Sequence, residues 1–414
     1  MRALVISDTH FGTWTGQDIL REPETLALLE PHLDVDEVIF LGDMFDLLFG
    51  SQRDAFLASE GLLALLRSRL QGKRFVFLAG NHDHHLVSNT AERLLDLELA
   101  TGQPQAELDG ELRRSDLFRT FLERHLEGVE VDIRYPTYTF AGVLCTHGHY
   151  LDFHARRAGA TGGKLLARAL WTIAIGGREH TPAIEDYEAT ITMLTNLLYT
   201  IAQLPNGTRA QQRAFSAFQA IAGGVHASAA PLRGIERAGT WLARQLTHAG
   251  PPGSPGRADG APLTRWTEAE MAKYEGARSE EIRRRQQTGA PAGAEAPNMT
   301  MARLIRPSDP LGPAVNAFDK VVHNLGWAHD TDKIVFAHTH QPIAAATVAG
   351  SSVRYWNTGS WIYEPDLSSR DTYLAYLRNA WPGTAVLIDS DEAEPRLLRL
   401  REHLNPLHSM VGAR

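Results

Sequence analysis

The chain has 414 residues, 43% hydrophobic and 22% charged, which is the balance of a globular protein able to bury a sizeable core. That composition excludes disorder throughout, a collagen-like fibre and a disulfide scaffold. A formal net charge of −8 argues against a general nucleic-acid binder, and the single cysteine, Cys145, can build neither an intrachain bridge nor a thiolate metal site.

In chain order, residues 3–7, 37–41 and 74–79 read as buried strands, each an apolar run with a turn signal close behind. Residues 24–33 and 55–70 lie between them and carry apolar side chains at the three- and four-residue spacing of amphipathic helices. Residues 129–134 and 143–146 add two further strands. This alternation predicts parallel strands joined by crossover helices.

From residue 155 the character changes. A Gly-rich joint at 159–163 leads into a helix over 164–175. Ile191, Leu194, Leu198 and Ile201 fall on one side of a second helix, with Leu197 and Leu204 widening the stripe, and Pro205-Asn206-Gly207 ends it. Over 155–250 there are ten Lys/Arg against five Asp/Glu, a local excess of positive charge in an acidic chain. Pro/Gly linkers at 251–262 and 289–297 flank a charged helix over 267–286, opened by a capping box of Thr267 and Glu270. Strand patterns resume at 333–336, 343–348, 353–356, 372–377 and 384–388. These boundaries predict an α/β core in two parts, 1–154 and 322–395, interrupted by a helical insertion or lid over 155–321 and followed by a tail over 396–414.

Five polar clusters sit where strands end: Asp8-Thr9-His10, Gly42-Asp43 with Asp46, Gly80-Asn81-His82-Asp83, His147-Gly148-His149 and Ala337-His338-Thr339-His340. An open α/β sheet presents binding groups at the carboxyl ends of its strands. One Asp-x-His is weak, whereas five such clusters in order are not, and their carboxylate, imidazole and amide donors suit divalent manganese, zinc or iron. Asp46 reads equally as a structural acceptor or as a catalytic acid, and His84 and His85 as substrate-side or solvated.

On these clusters the sequence resembles the calcineurin-like metallophosphoesterase superfamily, over roughly 1–154 and 322–390. The resemblance implies a four-layer fold of two facing mixed β-sheets flanked by helices, here with a large helical insertion. It implies that Asp8, His10 and His340 hold one metal ion, that Asn81, His147 and His338 hold the other, and that Asp43 bridges both. Two divalent ions about 3.5–4 Å apart would lower the pKa of a bridging water, giving a hydroxide for in-line attack on a phosphomonoester, phosphodiester or pyrophosphate. Manganese leads the metals implied, with iron or zinc behind it. His82 is similar to the family histidine that protonates the leaving oxygen, and Asp83 would orient its imidazole. His149 and Asn357, the latter in the stretch Asn357-Thr358-Gly359-Ser360-Trp361, are the substrate-side candidates.

Gly42-Asp43-Met44-Phe45-Asp46 also resembles the UDP-2,3-diacylglucosamine hydrolase branch, which carries a helical lid in the place of 155–321. The chain departs from that branch at His82, where the branch has Arg, and at His149, where it has an acid. The expected partner is a phosphorylated small molecule or a phospholipid-like substrate, with no stable nucleic-acid binding. A peripheral membrane contact through 155–250 fits the apolar stripes and local positive charge. The apolar stretch after Met1-Arg2 is too short for a signal peptide, no 18-residue apolar run occurs, and a lone cysteine fits a reducing compartment. A cytoplasmic protein is therefore expected, peripheral at the inner face of the membrane where 155–250 meets it. Two rival readings are a catalytically idle metal-binding interaction protein and a nuclease. The full ligand set with His82 weighs against the first, and the acidic balance against the second.

Overall fold

A computed structural model of the chain describes residues 1–13, 17–87, 117–154, 311–329, 331–365 and 369–407, with parts of 181–203. The helices expected over 164–175 and 267–286, and most of that over 191–204, lie outside the described residues, as does the greater part of 155–250.

Strands β1 (Arg2–Ile6), β2 (Glu37–Leu41), β3 (Arg74–Leu78) and β4 (Glu130–Arg134) run parallel, each in register with the next. Strands β5 (Thr137–Phe140) and β6 (Val143–Thr146) form an antiparallel hairpin that begins a second sheet. Strands β7 (Lys333–Phe336), β8 (Ile343–Thr347) and β9 (Arg354–Asn357) complete it in the order β5-β6-β7-β9-β8. Strands β10 (Thr384–Asp389) and β11 (Arg396–Arg399) return to the first sheet, whose order is β11-β10-β1-β2-β3-β4. Both sheets are mixed, because β10 lies antiparallel to β1 while β6, β7 and β9 are parallel.

The alternation of side chains along each strand builds the layers. Ala3, Val5, Ile39, Leu41, Val76 and Leu78 of the first sheet meet Cys145, Val335, Ala337 and Trp356 of the second, all buried. The outer face of the first sheet, with Phe40, Phe75 and Phe77, packs on the helices Gln52–Arg69 and Leu117–His125. The outer face of the second packs on the helix Leu311–Asn324, where Phe318 stacks on Phe336 with ring centroids 4.3 Å apart. Helix, sheet, sheet and helix are therefore stacked, the four-layer α/β architecture expected.

Three elements differ from expectation. Residues 372–377, read as a strand, lie in the helix Arg370–Asn379. Tyr373, Leu374, Tyr376 and Leu377 bury one helical face, and Ser369 and Thr372 close a reciprocal capping box ahead of it. A six-residue apolar run has no decisive period, and the cap is what selects the helix. Strand β5 was not expected; it turns into β6 through Ala141 and Gly142, both at positive φ (48° and 76°), as a two-residue hairpin loop requires. Strand β11 lies within the stretch read as a tail.

The described part of the insertion lies against the core. Tyr199 stacks on His85 with centroids 3.7 Å apart, and the Gln203 side chain accepts from the Gln52 backbone N–H at 2.9 Å. Tyr187 stacks on Tyr150, while its hydroxyl lies 2.8 Å from His154 Nε2 and 3.1 Å from Asn324 Nδ2. Among the described residues no helix is long and apolar enough to cross a membrane.

The turn after β9 needs a residue with no side chain. Gly359 has φ 72°, and a Cβ there would stand 2.1 Å from Thr384 Oγ1. That hydroxyl already donates to the Thr358 carbonyl at 2.6 Å. Gly359→Ala should therefore lower stability by about 1–3 kcal/mol, seen as a lower urea midpoint at unchanged m-value; an unshifted midpoint would show that the turn relaxes freely.

Candidate metal centre

The parallel strands deliver the five polar clusters to one edge of the stacked sheets. Asp8 and His10 follow β1, Asp43 follows β2, Asn81 and His82 follow β3, His147 follows β6, and His338 and His340 follow β7. The loops are laced together: Asp8 and His10 donate their backbone N–H groups to Gly42 and Asp43 carbonyls at 3.1 and 3.0 Å. Asp46 donates to the Phe11 carbonyl at 3.0 Å, and Trp361 to that of Asp8 at 3.0 Å.

This lacing holds an unfavourable backbone. Asp8, His10, Asp43, His338 and His340 have φ of 50°, 48°, 51°, 70° and 57°, in the left-handed region that an L-residue enters at a cost of roughly 1–2 kcal/mol. Strain of this kind persists where surrounding contacts over-determine it, and it gathers at functional sites.

Three buried groups of side chains converge there among the described residues, Asp8 with His10 and His340, Asp43 with His147 and His338, and His10 with Asp46 and His82; within each, one ligand atom per residue lies within 4.8 Å of the others. Asp43 Oδ2 lies between the first two, at 3.7 Å from His10 Nε2 and 3.3 Å from His147 Nε2. Asn81 Oδ1 is 3.3 Å from the same His147 nitrogen. The structure thus brings together all seven residues read as ligands. His10 Nε2 and His340 Nε2 face each other at 3.1 Å, and His340 Nε2 is 3.0 Å from Asp8 Oδ1. Asp8 Oδ1 and Asp43 Oδ2 are buried yet accept no hydrogen bond among the described residues. Carboxylate oxygens without hydrogen-bond partners, gathered with imidazole nitrogens, are the donor set that a divalent cation satisfies.

Protonation states agree with that fit. Burial pushes the Asp8 carboxyl up, but the nearby imidazoles of His340 and His10 hold it well below the usual range. Burial likewise opposes ionisation of Asp43, and His147 and His82 override it. Burial depresses His10, with His82 adding to the effect, and it depresses His338 despite Asp152. At neutral pH these groups are charged carboxylates and neutral imidazoles, the ligand forms. His147 is the exception: burial pulls it down, but Asp43 lifts it to about 9. A cation beside Asp43 would take over the role of that proton.

Partners outside the groups orient the rings. His147 Nδ1 donates to the Leu41 carbonyl at 2.8 Å, and His340 Nδ1 lies 3.3 Å from Glu364 Oε2. His338 Nε2 is 3.0 Å from Asp152 Oδ2, which leaves Nδ1 for the group with Asp43. Such outer contacts fix the tautomer and ring angle of a metal-binding histidine. Sequence reasoning missed Asp152 and Glu364. Each follows a motif by a few residues, but nothing in its spacing distinguishes it from a surface acid. Gly80 contributes by what it lacks, since a Cβ there would stand 2.2 Å from Asp43 Oδ1 and 2.7 Å from His147 Nε2.

The remaining candidates divide. His82 is in the centre, its ring edge-on to His10 with centroids 4.5 Å apart and its backbone N–H donating to Asp43 Oδ1 at 2.8 Å. The carboxylate on its imidazole is not that of Asp83. His82 Nδ1 lies 3.0 Å from Asp46 Oδ1, and Asp46 is the acid that orients the ring. Asp83 instead accepts from the backbone N–H groups of Gly80 at 2.6 Å and Met44 at 2.8 Å, with weaker contacts to Asp43 and Phe45. It ties the Asn81 loop to the Asp43 loop, while burial and the Asp43 charge push its carboxyl up to about 7. The adjacency of Asp83 to His82 suggested the wrong acid, because neighbours on a tight turn point apart.

His149 is buried beside the centre, its ring centroid 5.4 Å from that of His147. Asn357, read as substrate-side, is occupied by backbone. Its Nδ2 donates to the Ala337 carbonyl at 2.7 Å and its Oδ1 accepts from Gly359 N–H at 2.9 Å. It braces the His338 turn rather than facing a ligand.

Comparison with known families agrees with this geometry. The calcineurin-like phosphoesterase family profile matches residues 1–195, which carry β1 to β6 and the ligand candidates from Asp8 to His147. Among curated proteins nothing matches the chain. Residues 1–195 are thus similar to the calcineurin-like phosphoesterases, and His338 and His340 join the same side-chain cluster from beyond the matched span.

Asp83→Ala would leave the Gly80 and Met44 N–H groups buried without acceptors, at about 1–3 kcal/mol for each. A loss of at least about 2 kcal/mol in chemical denaturation is expected. A variant of unchanged stability would show that the two loops need no such tie.

Proposed function

We propose that this protein hydrolyses a phosphomonoester, phosphodiester or pyrophosphate bond with two divalent metal ions. Asp8, His10 and His340 would hold one ion, and Asn81, His147 and His338 the other, with Asp43 shared. The observation that carries this reading is the single oxygen Asp43 Oδ2, which faces His10 on one side and His147 on the other. When bound, two such ions supply an activated water near neutral pH and neutralise charge developing on phosphoryl oxygens. Their donors are nitrogen and oxygen without sulfur, which suits manganese first, and iron or zinc after it.

The chain's own residues supply the rest. Asp46 holds His82 at Nδ1 and fixes its ring, so that Nε2 is the atom placed to protonate a departing alkoxide. The imidazole stands against His10, within reach of a phosphoryl group seated between the two ligand groups. Asp152, Glu364 and the Leu41 carbonyl hold the metal-facing rings against rotation.

Asp43→Asn should lower turnover of a chromogenic phosphodiester by about 10³-fold or more. Elemental analysis should show fewer than two ions per chain. Unchanged turnover would remove Asp43 from its shared position. His82→Ala should keep its metal content yet lose about 10²–10⁴-fold in turnover, with Asp46→Asn losing less. Loss of metal from His82→Ala would make that residue a ligand instead of an acid.

A further inference from the structure

The group of Asn81, His147 and His338 straddles the seam between the two sheets. Asn81 follows β3 of the first sheet, whereas His147 and His338 follow β6 and β7 of the second. Any widening of that seam separates donors that one ion must bind together. On the Asp8 side the core fastens the seam itself: Trp361 N–H donates to the Asp8 carbonyl at 3.0 Å, and the Ser7 and Thr358 hydroxyls lie 2.5 Å apart. On the Asn81 side a fastener comes from the insertion.

That fastener is Glu188, whose side chain is one quarter exposed and meets three core side chains. Oε2 lies 2.8 Å from His84 Nε2, and Tyr135 and Tyr150 both donate their hydroxyls to Oε1. Burial, with Tyr150 and Glu188 adding to it, raises Tyr135 well above its ordinary value, so its hydroxyl keeps the proton it donates. Tyr187, the residue before Glu188, is buried and stacks on Tyr150 with centroids 5.2 Å apart, which sets the place where the carboxylate arrives.

Each partner of Glu188 leads back to the ion-binding group. His84 stands three residues after Asn81, on a turn closed by Leu86 N–H to the Asp83 carbonyl at 2.9 Å and by Val87 N–H to that of His84 at 3.0 Å. Tyr150 lies on the 3₁₀ turn His149–Phe153, directly after His147 and Gly148. The same turn carries Asp152, whose Oδ2 is 3.0 Å from His338 Nε2. Tyr135 sits where the chain passes from β4 of the first sheet to β5 of the second. One carboxylate therefore joins the turn after Asn81, the turn after His147 that braces His338, and the crossing between the sheets. Hydrogen bonds to a charged acceptor are strong and directional, so they resist the sliding that apolar contact allows.

We propose that Glu188 is a positioning residue for metal binding: it clamps the turns after Asn81 and His147 at the separation their ion requires, and so makes the insertion part of that site's affinity. The proposal deepens the two-ion phosphoesterase reading and rests on it. Among the described residues the polar contacts of Glu188 are with those turns and not with the ligand candidates, so it acts through the backbone that carries them.

The metal-free full chain is titrated with Mn²⁺ in a calorimeter, with elemental analysis of the bound ion. The wild type should bind two ions, and Asn81→Ala marks, by its weakened affinity, the one that belongs to the Asn81 group. Glu188→Gln should weaken that same ion by about tenfold or more and leave the other within about twofold, and Tyr135→Phe should act on the same ion to a smaller extent. A general loosening of the core would weaken both ions together, so an equal fall in both overturns the proposal. Two unchanged affinities in Glu188→Gln overturn it as well, or in Tyr135→Phe where the first variant does not fold. A wild type that binds only one ion overturns the two-ion reading and this proposal with it. A wild type that binds two ions yet hydrolyses no ester counts against the phosphoesterase reading alone, because the titration needs no turnover.

Discussion

One carboxylate oxygen of Asp43 faces imidazoles that arise from both sheets, and the arrangement of the core follows from that requirement. His10 leaves the end of β1 and His147 the end of β6, so the sheets must stack with those ends aligned. The interlayer of Val5, Ile39, Leu41, Val335 and Trp356 fixes the stacking, and the cross-loop hydrogen bonds fix the last few residues. Left-handed backbone at Asp8, Asp43 and His338 is tolerated because the side chains must turn inward directly after their strands. Packing of more than sixty buried apolar side chains among the described residues thus holds a small polar cluster that would not assemble by itself.

Much of this was legible in the amino-acid sequence, for a physical reason. Strands buried on both faces are uninterrupted apolar runs, so β2, β6 and β7 could be bounded to the residue. The polar residues that end such runs stand out against them, so the five clusters could be read from the pattern, while the choice of seven ligand candidates within them came from the family resemblance. What stayed hidden was relational. Residues 372–377 are apolar enough for a strand, and only the capping pair Ser369 and Thr372 marks the helix. Asp46 and Asp83 are equivalent acids in sequence, and their roles separate only when one meets an imidazole and the other meets backbone N–H groups. Asp152, Glu364 and Glu188 act across the fold, where no spacing rule reaches.

The insertion shows the same division at larger scale. Its composition suggested a lid or a membrane-facing patch, and its described part meets the core through polar side chains as well as through Ile184 and Tyr187 in an apolar cluster. Tyr187, Glu188, Tyr199 and Gln203 each hydrogen-bond core residues, at positions spaced along one stretch of chain. Contacts of that kind are directional, and they set the position of a segment more finely than apolar packing alone. The chain therefore spends polar side chains where its insertion approaches the chemistry, and apolar ones where the core needs bulk.

The order of strands in the first sheet has a consequence for how the protein is made. Strand β1 precedes the other described strands in the chain, yet one of its two neighbours, β10, is specified nearly four hundred residues later. At about 5–20 residues per second, that edge waits tens of seconds for its partner. Throughout that interval Ala3, Val5 and the backbone groups beside them offer an open template to other nascent chains. That edge closes only when β10 has been made, and β11 then pairs on the far side of β10.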